Sequence, residues 1–324
     1  MTMLPISDVW VPSDRQLSPV MPLFPIYIQS KGRSDLVSGT VRLLSAIRVP
    51  FTLVVEHDET SLYEEQVSGL GGYGRVLTLD PEYQRSYDPC WDLPPDASRG
   101  SGPARNFAWD HALSEGHSYY WCLDDNHLDL GWFYGARKVL ASDAGPLRYL
   151  EELMRRYRNV AMGGLDYMMF CNPKNNGNAP LVNTRVYSCN LIRTDLPQRW
   201  RGVYNEDTIL SLDLMKAGWN TILSKFGIVN KTTTMRTKGG NTTTIYAGPD
   251  AHLRKALVLV RAHPDVARVV TRFNRTHHHV DYRPWQRRLC VPFEDATPSP
   301  AISLNITKGH WSTRSRSEEE ETSE

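Results

Sequence analysis

The chain has almost no net charge, few cysteines and no long apolar run, and each shortage removes a class of function. Its 37 Lys and Arg stand against 36 Asp and Glu, a net charge of +1, so no global field draws it to nucleic acid or membrane, and a polyanion must meet a local patch. The five cysteines (Cys90, Cys122, Cys171, Cys189, Cys290) are odd in number, scattered and without a C-x-x-C pair. That excludes a disulfide framework and a zinc knuckle, and the expected compartment is a reducing cytoplasm. The opening M-T-M-L-P-I-S-D-V-W lacks a basic region followed by an apolar core, so a soluble, unprocessed protein with no membrane partner is expected. No G-x-x-x-x-G-K-[ST] occurs, which excludes a P-loop ATPase. Gly69 to Gly74 does match G-x-G-x-x-G, but a helix-like S-L-Y-E-E-Q-V precedes it and a strand-like R-V-L-T-L-D follows. A dinucleotide site needs the opposite order, so this is a helix-to-strand loop.

What is present is an ordinary globular balance: 324 residues, 40% hydrophobic and 23% charged, enough for one large domain or two small ones. Residues 1–20 carry Pro5, Pro12 and Pro19 with little periodicity and read as an irregular arm. Phe24 to Gln29 predicts a strand, Leu36, Val37, Val41, Leu44 and Ile47 a helix, and Phe51 to Glu56 a second strand. This β-α-β order points to a parallel sheet. Asp80 to Ala97, rich in proline and aspartate, reads as a long loop. Further on, Pro146 to Tyr157 predicts a helix, Val160 to Met162, Val186 to Ile192 and Asn220 to Leu223 predict strands, and Asn172 to Asn178 a polar loop.

The chemistry concentrates in Ser98 to Asp129. Ser101 or Gly102 can cap a helix beginning at Pro103 and ended by Gly116, with Ala104, Phe107, Ala108, His111 and Ala112 on its apolar face. That face leaves Arg105 and Asn106 near the exposed start. Ser118 to Leu123 then reads as a buried strand, with Asp124, Asp125 and Asn126 at its carboxyl end. In open α/β sheets that is where ligands bind. Adjacent carboxylates there point to half a site for Mg2+ or Mn2+, a diphosphate supplying the rest; the alternative is a simple Asx turn. Asn205-Glu206-Asp207 opens an amphipathic helix stopped by Gly218. The two acids are either caps favoured by the dipole or a general base for an alcohol.

Basic groups are dispersed around these acids. Ser30-Lys31-Gly32-Arg33 follows the first strand and is either a phosphate-binding or a plain surface turn. Thr237-Lys238-Gly239-Gly240-Asn241 is either an anion-binding loop or a hairpin turn. From Ala251 to Arg288 nine basic residues face only Asp265 and Asp281. With Phe273, Tyr282 and Trp285 nearby, the segment suits phosphates and bases, or forms a solvated basic face. His277-His278-His279 is a surface triplet or a source of one metal ligand. Residues 311–324 end in S-E-E-E-E-T-S-E and predict a disordered acidic tail.

Taken in order, the S-K-G-R turn, G-P-A-R-N into W-C-L-D-D-N, Y-S-C-N-L-I-R, Y-N-E-D-T-I-L-S-L with K-A-G-W-N-T, K-G-G-N-T-T and H-H-H-V-D-Y resemble the TET-associated glycosyltransferases over roughly Ile26 to Tyr282. The resemblance implies an α/β fold with a GT-A-like, Rossmann-type central sheet flanked by helices over residues 21–250, followed by a basic C-terminal extension over 251–310. It implies transfer of a sugar from a nucleotide-sugar, UDP-glucose or a related UDP-sugar, to 5-hydroxymethylcytosine in DNA, in a bacterial host's cytoplasm if the chain is phage-encoded. The donor would be held by Ser30, Lys31, Arg33, Arg105, Asn106, Asp124, Lys238, Gly239 and Gly240. The family's D-x-D-type turn falls on Asp124, Asp125 and Asn126, with Asn in the third position, and would carry Mn2+ or Mg2+. By similarity to inverting GT-A enzymes, Asp207 is the expected base with Glu206 beside it. Asn190, Asn241, Arg272, Arg275, His278 and His279 are expected on the acceptor side. A saccharide or lipid-linked acceptor, and a DNA-binding module with a decayed transferase fold, are the competing readings.

Overall fold

A computed structural model describes residues 18–33, 39–134, 136–172, 179–232, 251–272 and 274–294. Residues 1–17 of the expected arm, Leu36 and Val37, nearly all of the 172–178 loop, the Lys238 to Asn241 loop and the acidic tail lie outside these residues.

Strands β1 (Ile26–Gln29), β2 (Phe51–Val55), β3 (Gly74–Thr78) and β4 (Tyr119–Asp124) alternate with helices α1 (Gly39–Ala46), α2 (Thr60–Ser68), α3 (Pro81–Ser86) and α4 (Gly102–Ser114). All four strands pair in parallel, in the order β3-β2-β1-β4, which the helical connections between them make possible. After β5 (His127–Tyr134), β6 (Arg137–Leu140) and α5 (Gly145–Met154), the sheet continues through β7 (Val160–Tyr167), β8 (Leu181–Val182) and β9 (Cys189–Arg193). Helix α6 (Glu206–Lys216) and β10 (Asn220–Lys231) follow. The whole is a 10-stranded sheet ordered β3-β2-β1-β4-β9-β7-β10-β5-β6, with β8 against β10. It is mixed, not all-parallel. β9 runs antiparallel between β4 and β7, while β7 and β10 resume the direction of β4. The carboxyl ends of β1, β2, β4, β7 and β10 therefore meet the amino end of β9 along one edge.

Strand alternation sends Ile26, Ile28, Trp121 and Leu123 into one core with Leu44 of α1 and Leu147 and Leu150 of α5. Tyr27, Tyr120 and Cys122 go to the opposite face, against Trp109 of α4 and Leu210 and Leu214 of α6. Differences from the sequence expectation have local causes. The 80–97 stretch contains α3 because the Asp80 carboxylate accepts from the Glu82 amide and Pro81 sits at the first helical position. Strands β7 and β10 run well beyond Met162 and Leu223, because both are buried on two faces and lose the period-2 pattern that marks a strand.

The basic C-terminal stretch is ordered as α7 (Ala251–Ala262) and an antiparallel ribbon of β11 (Ala267–Arg272) and β12 (Arg275–Val280). Val258 and Leu259 of α7, Ala267 and Trp285 share a core with Ile209, Leu212 and Met215 of α6. No helix among the described residues is long and apolar enough to cross a membrane.

One buried acid ties chain segments together. Glu151 of α5 is fully buried and accepts hydrogen bonds from the Trp121 indole (2.8 Å) and the Leu23 and Phe24 amides (2.7 and 3.2 Å). Burial pushes its pKa up to about 7 against those donors. Glu151→Ala strands the buried Trp121 indole and takes the partner from two part-buried amides, and urea denaturation should show a loss of about 3 kcal/mol. Glu64→Ala, on the exposed side of α2, should stay within about 0.5 kcal/mol of the unsubstituted protein.

Candidate active site

The acidic turn is built from its neighbours inward. At the end of β4, the Asp124 amide donates to the Ser188 carbonyl (2.8 Å). The hydroxyl of Thr40, at the start of α1, donates to the Asp124 carbonyl (2.6 Å) and receives the His127 amide (2.9 Å), while the Thr40 amide donates to the Asp125 carbonyl (3.2 Å). This closeness needs the glycine before it, since a Cβ on Gly39 would lie 2.5 Å from the His127 carbonyl oxygen. The two carboxylates take different partners. Asp124 is held by Arg105 Nη2 (2.7 Å) and Lys231 Nζ (2.6 Å), and Asp125 by the Ser30 hydroxyl (2.9 Å) and the Arg33 guanidinium. Burial would raise the pKa of Asp124, but Lys231 and Arg105 outweigh it and hold the group well below the usual carboxylate range. For Asp125 burial wins over Arg33 and the pKa is raised.

The second acid cluster stands opposite, joined to the first through one side chain. Asn205, in the left-handed conformation at φ 55°, turns the chain into α6 and donates from Nδ2 to the Lys255 carbonyl of α7 (2.6 Å). Glu206 accepts from the Ser101 hydroxyl (3.1 Å), and Asp207 from Arg105 Nη1 (3.1 Å), Asn190 Nδ2 (3.1 Å) and the Ser188 amide (3.3 Å). Arg105 is only 2% exposed. Four of its five N–H groups are hydrogen-bonded, Nε to Ser101, Nη1 to Asp207 and the Cys122 sulfur and Nη2 to Asp124, and Nη2 also forms an ion pair with Glu206 at 3.7 Å. Its carbon also lies 4.6 Å from the Trp200 ring centroid. The expected helix face left Arg105 at an exposed start. In fact Arg105, Ala108, Trp109 and Ala112 form the buried face, an i, i+3, i+4, i+7 set in which Trp109 leads. Burial raises the pKa of Asp207, with Arg105 opposing and Glu206 and Asp124 adding to it.

Both clusters open into one cavity of about 350 Å³, within the range of small-molecule sites. Ser30, Lys31, Arg33, Arg105, Asp124, Asp125, Asn126, Glu206 and Asp207 line it. Asn106 is placed elsewhere, bonded through both side-chain atoms to the Trp200 backbone. Asn190 is buried behind Asp207 and orients it. Arg272, Arg275 and His279 share one face of the β11–β12 ribbon with Arg268 and His277, whereas His278 turns to the other face. Burial, then the nearby charges of Lys255 and Arg185, pull the His278 pKa down to about 4, so it is neutral at neutral pH.

Other cavity residues were not placed at the site by the sequence. Lys231 ends β10 and reaches Asp124 across 107 positions, and Lys255, counted in the sequence only as one of the nine basic residues of the C-terminal segment, comes from α7. Tyr167, Phe170 and Tyr187 form an aromatic group with centroids 4.5 to 6.4 Å apart. Phe170 is half exposed and the Arg185 guanidinium lies 5.0 Å from the Tyr187 ring.

Residues 24–240, which contain both acid clusters and the strands beneath them, match the TET-Associated Glycosyltransferase family. The chain belongs to that family. As a family member it is a glycosyltransferase, and its central sheet flanked by helices is the GT-A-like α/β arrangement expected of one. No curated protein matches it. Among solved structures it is similar to 4-diphosphocytidyl-2C-methyl-D-erythritol synthase from Anaerococcus prevotii DSM 20548, at 9% identity over 74% of this chain and 96% of that one, TM-score 0.34. Mouse xyloside xylosyltransferase 1 shares 11% identity over 59% and 71%, TM-score 0.31. The inositol-1-phosphate CTP transferase from T. maritima shares 11% over 66% and 91%, TM-score 0.32. Likenesses this distant carry no functional information.

The metal expected of the glycosyltransferase does not fit its turn as the side chains stand. A hard divalent ion needs several uncommitted oxygens. Both oxygens of Asp124 and both of Asp125 are already taken, three by cationic groups and one by a hydroxyl. Asn126 Oδ1 is buried without a partner, but one oxygen is not a coordination set. Among the described residues no group of three His, Cys, Asp or Glu stands where it could hold a metal.

Arg105→Lys keeps the charge but offers three donors where four are used. A breach in this buried network should lower stability by about 3 kcal/mol, readable as a shifted urea midpoint.

Proposed function

We propose that the protein transfers a sugar from a nucleotide-sugar, a UDP-sugar in the first instance, to the hydroxyl of a hydroxymethylated base, 5-hydroxymethylcytosine, in DNA, with inversion at the anomeric carbon. One observation carries this reading. A carboxylate of raised pKa, Asp207, is fixed across a single cavity from a group of Lys and Arg side chains at the carboxyl edge of the sheet. The cations suit a diphosphate, and the acid suits an alcohol.

Asp207 accepts the proton of the hydroxymethyl oxygen. That oxygen forms a bond to the anomeric carbon while the bond from the same carbon to the diphosphate oxygen breaks, and the nucleoside diphosphate leaves with the electron pair. Arg105, Asn190 and the Ser188 amide hold the carboxylate in place during the transfer. Burial makes Asp207 more basic than an ordinary aspartate, while the Arg105 guanidinium opposes that rise and favours the ionised form a general base must have. Glu206, held by Ser101, lies beside it. On the acceptor side, the aromatic group of Tyr167, Phe170 and Tyr187 at the cavity supports a planar base. The ribbon face bearing Arg268, Arg272, Arg275, His277 and His279 supports a phosphate backbone. A saccharide acceptor, which carries no phosphate backbone, would have no use for the arginine stripe.

Incubation with UDP-sugars and DNA containing 5-hydroxymethylcytosine, followed by mass spectrometry of the nucleosides, should show a hexose increment on that base alone. Unmodified DNA nucleosides alongside a glycosylated saccharide control would refute the acceptor. Asp207→Asn should abolish transfer and leave nucleotide binding unchanged. In the unsubstituted enzyme kcat/KM should fall about tenfold per pH unit on the acid side. The limb should begin above the ordinary carboxylate range, because a base with a raised pKa is protonated, and lost, at higher pH than a normal aspartate.

A further inference from the structure

The acidic turn is occupied by the chain's own cations, and among these Lys231 is placed to act on a ligand. Its side chain is 9% exposed and lines the cavity, and it ends β10, a strand hydrogen-bonded on both sides to β7 and β5. An ammonium has three N–H donors. One reaches Asp124 (2.6 Å) and one the Tyr167 hydroxyl (3.3 Å). A third is left. Arg105, by contrast, spends four of its five on the site's own acceptors and turns the remaining nitrogen edge towards Glu206, 3.7 Å away. So the buried guanidinium serves the carboxylates and the ammonium has capacity for an incoming anion.

Charge balance leads to the same residue. The cavity is lined by the carboxylates of Glu56, Asp124, Asp125, Glu206 and Asp207 and by the cationic side chains of Lys31, Arg33, Arg105, Arg185, Lys231 and Lys255. When Asp207 takes the acceptor's proton, this set loses one negative charge. The loss comes as the leaving diphosphate becomes more negative.

We propose that Lys231, fixed by Asp124 and Tyr167, holds the donor's diphosphate in place of a divalent cation, so that donor binding needs no metal. The inference rests on the nucleotide-sugar reading above. In transfer the bond between the anomeric carbon and the diphosphate oxygen breaks. The electron pair passes to that oxygen, and the Lys231 ammonium stabilises it by a charge-assisted hydrogen bond without giving up its proton.

The test is calorimetric titration of the full chain with UDP, ADP, CDP and GDP and with UMP, in excess EDTA and again with added Mg2+ or Mn2+. One nucleoside diphosphate should bind with the same affinity in EDTA and in either metal. Lys231→Gln should weaken that diphosphate roughly 10- to 100-fold, the size of one charge-assisted hydrogen bond, and UMP by less. Lys231→Arg should recover most of the loss. Binding seen only with added metal would overturn the proposal on the unsubstituted protein, whether or not the variants fold. A Lys231→Gln protein that binds diphosphate and monophosphate normally would overturn it as well. If no nucleoside diphosphate binds under any condition, the nucleotide-sugar reading itself fails and takes this inference with it; a metal requirement alone leaves that reading intact.

Discussion

The guanidinium of Arg105 is the constraint on which the site depends. A cation at 2% exposure cannot be left unbalanced, and here it is balanced by three carboxylates on two elements, Asp124 at the end of β4 and Glu206 and Asp207 at the start of α6. None of the three acids can swing away without stranding buried charge. Breaking a buried ion network is far more costly than the network's net contribution to stability. Its role is therefore geometric: it fixes how far the acidic turn lies from the proposed base. The helix that carries it is itself seated by Trp109, whose indole donates to the Thr194 carbonyl (2.9 Å). The position of the charges is thus inherited from the core.

The C-terminal segment contributes to the same cavity although the family match ends at residue 240. Helix α7 brings Lys255 to the cavity, accepts the Asn205 side chain on its backbone and shares a core with α6. Any displacement of α7 would be felt at the first turn of α6, where Glu206 and Asp207 sit. The ribbon packs on α7 in turn. Its exposed face sets Arg272 opposite Arg275, like charges that repel each other across a strand pair. An anion lying along that face would relieve the repulsion.

Much of this was legible in the sequence where a local rule applied. Helix α4 and strand β4 were readable because a proline start, a glycine stop and an aromatic strand follow one another, and the two acid clusters were found as adjacent carboxylates. The burial of Arg105 was not, since periodicity counts arginine as polar and has no way to credit three carboxylates brought in from β4 and α6. Asn106, adjacent to it, was read as part of the site, yet a helix turns about 100° per residue and carries it to Trp200 instead. Lys231 was invisible for a different reason. It is one lysine at the end of a strand, and only the pairing of β10 with β7 brings it to Asp124 and Tyr167. The ribbon was hidden by its own charge, because Arg and His occupy positions where a strand ordinarily announces itself by alternating apolar residues.

The reversal of β9 has a consequence for the backbone itself. An edge made only of outgoing strand ends offers mostly carbonyl oxygens, which would repel any acid brought beside them. Inserting one strand of opposite polarity exposes an amide, that of Ser188, among those oxygens, and this amide is what the Asp207 carboxylate grips. The donor belongs to the backbone and does not depend on the identity of the Ser188 side chain. The direction of a single strand thus makes room for a negative charge at the one place on the rim where catalysis would require it.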